Sequence, residues 1–91
     1  MAKGENQRLK LFYLLDILNT YTDDEHALSM AEIIVKLAAY GVNAERKSLY
    51  TDIEELRHYG ADIIGEKAGQ GYTYRIGNRK FEIAELKLLM D

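Results

Sequence analysis

Gly60 divides this sequence into two regimes of apolar spacing: before it, apolar residues recur every three or four positions, and after it they alternate. The first period, about 3.6 residues, belongs to helices with one buried face, and the second, about 2, to strands. From Gln7 to about Tyr21, Leu11, Leu14, Leu15 and Leu18 fall on one helical face, widened by Phe12 and Ile17. The polar run Thr22 to His26 breaks that pattern and predicts a loop with solvated carboxylates. Ser29 stands three residues ahead of Glu32, the spacing of a capping box. Met30, Ile33, Ile34 and Leu37 then form the stripe of a second helix, which Gly41 ends. Asn43 is placed to cap a third helix from about Ala44 to Tyr59, with Leu49, Ile53 and Leu56 inward and Gly60 as its stop.

Beyond Gly60, Ala61 to Lys67 and Tyr72 to Ile76 read as strands around a loop, Ala68-Gly69-Gln70-Gly71, whose glycines accept the positive φ of a hairpin turn. Alternation puts Tyr72, Tyr74 and Ile76 against the helices, and Thr73 and Arg75 toward solvent or phosphate. The stretch Phe81 to Asp91 spreads apolar residues around most of a helical circumference, which predicts a helix that needs a partner. It reaches Asp91 without a cap, the pattern of a linker helix that continues. The expected fold is therefore mainly α with a small β-hairpin: three helices, then two strands, then a C-terminal helix. Two helices joined by a brief glycine-containing turn behind a first helix make a three-helix helix-turn-helix, to which the hairpin adds a wing.

Composition narrows the chemistry. Ninety-one residues allow one small core, and 47% apolar with 30% charged residues is an ordinary globular balance. Without cysteine there are no disulfides, thiolate zinc sites or thiol nucleophiles. No run approaches the roughly 18 apolar residues of a membrane span, and the opening MAKGENQRLK lacks a secretory apolar segment, so a cytoplasmic protein is expected. A net charge of -3 argues against a polyanionic partner, unless the twelve basic residues gather on one face. His26 and His58 lack partners at metal-ligand spacing, and Gly69-x-Gly71 precedes no helix and lacks the Gly-Lys-Ser/Thr of a phosphate loop. Ser29 has a capping role, Asp23 and Asp24 sit in a polar loop, and most of the seven tyrosines suit packing better than stacking on a ligand. No enzyme and no cofactor is expected.

The run Arg46-Lys47-Ser48-Leu49-Tyr50-Thr51-Asp52-Ile53-Glu54-Glu55-Leu56, followed by Gly60, resembles the second helix of the helix-turn-helix in bacterial WYL-domain transcription regulators. The likeness extends through Leu11 to Leu18, the Gly69-Gln70-Gly71-Tyr72 wing and the segment Phe81 to Lys87, and so covers nearly the whole chain. It implies a DNA-binding winged helix-turn-helix over residues 1–77. Residues 78–91 would then begin a linker helix toward a C-terminal WYL-like domain, absent here, that senses an effector ligand. Many relatives carry arginine where this chain has Thr51, which removes one possible base or phosphate contact.

On a helical wheel with Leu49 inward, Lys47, Thr51 and His58 point outward, with Ser48 and Tyr50 on the flanks. The expected base-reading set is Lys47, Ser48, Tyr50 and Thr51 in the major groove, with Arg46 on a phosphate. Lys67, Gln70 and Arg75 of the wing would follow the backbone or minor groove, and Arg8 and Lys10 would add phosphate contacts. Phe81, Ile83, Leu86, Leu89 and Met90 are the expected pairing surface of a homodimer or of the interdomain contact. The alternative is a winged-helix protein-interaction or dimerisation module without DNA binding, favoured by acidic Glu45, Glu54 and Glu55 on the same helix.

Overall fold

The computed structural model describes residues 9–77. They form α1 (Lys10–Tyr21), β1 (Leu28–Ser29), α2 (Met30–Ala39), α3 (Arg46–His58), β2 (Ile63–Ala68) and β3 (Gly71–Ile76). The strands make one antiparallel sheet in the order β1-β3-β2. Strand β1, just two residues long, is absent from the sequence expectation; it pairs Leu28 with Tyr74 and Ser29 with Thr73, which makes β3 the central strand. The predicted segments 78–91, together with Arg8, lie outside the described residues. Among the described residues no helix is long and apolar enough to cross a membrane.

The helical stripes converge on one core. Leu14, Leu15, Ile33, Leu37, Leu49 and Leu56 are all fully buried, and Ile76 of β3 joins them. Each such side chain contributes about 1.5–3 kcal/mol relative to exposure, which makes the stripe the main stabiliser of each helix. Helix α2 opens with the expected capping box: Ser29 Oγ accepts from the Glu32 N–H at 3.2 Å and Glu32 Oε1 accepts from the Ser29 N–H at 2.8 Å. Helices α2 and α3 end alike. Gly41 (φ 80) and Gly60 (φ 113) take left-handed backbone, which an L side chain would resist. The N–H groups of Val42 and Ala61 then reach back to Leu37 and Leu56 carbonyls at 3.0 and 2.9 Å, and both residues are buried.

Three details depart from the sequence expectation. Asn43 does not cap α3: the helix begins two residues later than expected, at Arg46, with Glu45 as N-cap and no side-chain cap bond. The hairpin turn is only Gly69-Gln70, because Ala68 and Gly71 are already paired, and positive φ falls on Gly69 (61°) but not on Gly71. Thr22 is not part of a solvated loop. Its hydroxyl donates to Leu18 O at 2.6 Å and accepts from the Ile76 N–H at 2.9 Å, so a buried polar group joins the end of α1 to the end of β3. The rest of the loop is exposed as expected. Asp23 Oδ1 accepts from the Glu25 N–H and from His26 Nδ1, both at 2.8 Å, and these bonds hold its carboxyl below the ordinary value.

Candidate nucleic-acid interface

Helix α3 presents three stripes around its buried line Leu49, Ile53 and Leu56. Lys47, Thr51, Glu55 and His58 face solvent. Ser48 and Asp52 face α1, where both meet Lys10. Arg46, Tyr50 and Arg57 face the β2–β3 hairpin; Arg57 Nε donates to the Ile63 carbonyl at 2.9 Å and its guanidinium also pairs with Glu54. The helix is thereby fastened on both flanks, and its first two turns remain open between them.

The hairpin is two-faced as well. Cross-strand partners share a face, so the pairs Lys67–Tyr72, Gly65–Tyr74 and Ile63–Ile76 lie on the helix side, while Glu66–Thr73 and Ile64–Arg75 lie on the other. Lys67 and Arg75, both expected to track a duplex, therefore point in opposite directions. Arg75 is half-buried and sits 3.7 Å from both Asp24 and Glu66. Tyr72 has the orientation that alternation predicts but not the burial: it is 53% exposed, because the hairpin runs on past the helices. Tyr74 is buried beside Tyr50, Tyr72, Arg57 and Arg46. Burial, reinforced by the Tyr50 hydroxyl, pushes its phenol above the ordinary tyrosine value, while Arg57 and Arg46 pull the other way. Gly65 makes room for that ring, since a Cβ there would lie 3.2 Å from it.

The expected site residues thus separate into two groups. Arg46, Lys47, Tyr50 and Thr51 are exposed on the first turns of α3, and Lys67 and Gln70 are exposed near the tip of the hairpin. Ser48 and Lys10 are turned inward instead. Lys10 Nζ donates to Ser48 Oγ at 2.8 Å and pairs with Asp52 at 2.7 Å, and Ser48 donates to the Glu45 carbonyl at 3.1 Å. Neither the phosphate contact expected of Lys10 nor the base contact expected of Ser48 agrees with these partners. Arg8 and the pairing residues Phe81, Ile83, Leu86, Leu89 and Met90 lie outside the described residues. Sequence reasoning missed Arg57 and the exposed Tyr72. For Arg57 a signal existed, since it stands seven residues after Tyr50 and so on the same flank.

Among the described residues there are seven lysines and arginines. Lys10, Arg57 and Arg75 pair with carboxylates, and Lys36 lies over the Tyr21 ring at 3.8 Å. Arg46, Lys47 and Lys67 engage no carboxylate: Arg46 lies beside Tyr74 of the hairpin, Lys67 stands across from Tyr72 on the same hairpin face, and Lys47 faces solvent on the neighbouring stripe of α3. With the exposed Tyr50 and Tyr72 hydroxyls, they are donors without an internal carboxylate, chemistry suited to phosphate oxygens. No model of a protein family, no curated protein and no solved structure matches this chain.

Proposed function

We propose that this chain is a sequence-reading DNA-binding domain of the winged helix-turn-helix type, from a bacterial transcription regulator of the WYL-domain kind that its residues resemble. Helix α3 lies in the major groove with Lys47, Tyr50 and Thr51 toward base edges, and Arg46, Lys67 and Gln70 hold the backbone beside it. The carrying observation is that Arg46 and Lys47 on the first turn of α3 and Lys67 on the hairpin have no carboxylate partner, whereas Lys10, Arg57 and Arg75 are paired and Lys36 is stacked on Tyr21. The net charge of -3 is an average over all faces: Asp23, Asp24 and Glu25 occupy the α1–β1 turn, where Arg75 answers one of them, while at α3 Glu54 pairs with Arg57 and Glu45 and Glu55 stay exposed. Dimerisation through residues 81–90 and effector sensing by a further domain complete the proposal; both concern parts beyond residues 9–77.

Binding of a random duplex, followed by fluorescence anisotropy across a salt series, tests the reading. Three neutralised phosphates give a slope of about -2.7 in log K against log salt, and Lys47→Glu abolishes binding at low salt. Affinity indifferent to salt and to that variant contradicts it. A second reading, a protein-docking module, is favoured by one feature: an open depression of about 350 Å³ between Tyr21, Leu28, Ala31 and Val35, with Val35 69% exposed. Under that reading Val35→Glu, not Lys47→Glu, removes binding to a partner.

A further inference from the structure

Lys10 and Asp52 meet across the seam between α1 and α3, 2.7 Å apart, with side chains only 13% and 16% exposed. Among the described residues theirs is the ion pair that joins two helices; the others lie within α3, within the α1–β1 turn or around the hairpin. The Oδ2 atom of Asp52 is shut off from solvent, so the lysine ammonium is what neutralises it. The same ammonium donates to Ser48 Oγ, one turn earlier on α3. Ser48 in turn donates to the Glu45 carbonyl, which also accepts the Leu49 N–H at 3.1 Å, the opening bond of the helix. One side chain of α1 therefore grips two positions four residues apart and, through Ser48, the first turn of α3, the turn that carries Arg46 and Lys47.

The remaining buried line of α3 is aliphatic, and aliphatic packing tolerates small rolls and slides because it is not directional. The hydrogen bond from the Lys10 ammonium to Ser48 is directional, and a buried charge pair beside it can fix one arrangement among several of similar energy. We propose that Lys10 and Asp52 are a positioning pair: they set the roll of α3 against α1, and thereby govern discrimination between DNA sequences rather than attraction to DNA. The proposal rests on the DNA-reading function above, for its recognition half alone.

The double variant K10M/D52N of the whole chain tests it, because it removes both charges, leaves net charge unchanged and leaves no unpaired charge in the seam. Residual dipolar couplings of backbone amides report the orientation of α3 relative to α1, and anisotropy titrations with a selected and a scrambled duplex report discrimination. The expected result is a changed α3 orientation, an affinity for scrambled duplex unchanged within about twofold, and a preference for the selected duplex reduced about tenfold, the worth of one base contact. The charge-swapped K10E/D52K restores both readouts. Unchanged couplings with unchanged preference overturn the proposal, as does equal weakening on both duplexes, which would make Lys10 a phosphate contact. If K10M/D52N does not fold, D52N alone, nearly isosteric, is read by the couplings and by the ratio of the two affinities, since its one added positive charge strengthens binding to both duplexes alike. Failure of the wild-type chain to bind any duplex sinks the functional reading and the recognition half of the proposal, while the couplings still decide whether the pair positions α3.

Discussion

The two flanks of α3 are made of similar residues and are used in opposite ways. On the α1 side a lysine, a serine and an aspartate close on one another, and the pair is largely withdrawn from water. On the hairpin side Arg57 is paired with Glu54, but Arg46 and, on the hairpin itself, Lys67 are matched by no carboxylate, and neither is Lys47 on the solvent stripe between the flanks. The contrast teaches that a count of charges says little about partners. What matters is which charges the fold has already answered. A chain of net charge -3 still leaves Arg46, Lys47 and Lys67 without a carboxylate partner.

The largest effect expected from breaking this contrast is on the closed flank. Lys10→Met alone leaves the Asp52 carboxylate without its partner, and we expect a loss of about 2–3 kcal/mol in urea unfolding, somewhat below the range for a fully buried pair. A loss under about 0.5 kcal/mol would show that the two flanks do not differ in the way described. Next comes the open flank. The triple variant R46A/K47A/K67A should keep stability within about 0.5 kcal/mol of the parent while the salt dependence of duplex binding all but disappears. Destabilisation comparable to that of Lys10→Met would mean these cations have internal partners after all.

The β2–β3 hairpin offers a sharper and smaller version of the same comparison. Lys67→Ala should lower the salt slope by about 1, whereas Arg75→Ala, on the opposite face beside Asp24 and Glu66, should leave it unchanged. Equal effects would show that the hairpin faces are not distinguished by the partner. The smallest effect concerns Tyr74. Its phenol is raised by burial, so the contribution this group makes to stability is fully present below the ordinary tyrosine value and is lost as pH rises through the higher folded value. In an alkaline absorbance titration, the difference between the parent and Tyr74→Phe should appear above that ordinary value; a difference at or below it would place Tyr74 in water.

Features fixed by near neighbours were legible in the sequence. The Ser29–Glu32 box and the stops at Gly41 and Gly60 depend on residues within one turn, and each forms as the spacing indicates. The outward placement of Lys47 and Thr51 followed from helix geometry and the inward line of Leu49, Ile53 and Leu56. Features set by distant partners were not. Thr22 becomes a buried link because Ile76, 54 residues away, supplies an N–H. Strand β1 is two residues long and exists because β3 lies beside it. Lys10 looked like a free cation until the fold brought Ser48 and Asp52 to it. For Tyr72, alternation gave the face correctly, but how far the helices extend beneath that face is a tertiary matter.

Backbone amide shifts of the ¹⁵N-labelled chain, recorded as a short duplex is titrated in at low salt, test the central claim most directly. If the start of α3 and the hairpin form the contact surface, the perturbations gather on Arg46 to Thr51 and on Lys67 to Tyr72, and spare Val35, Lys36 and the outer face around Arg75. Perturbations centred on α2, or a spectrum that does not change, would contradict it.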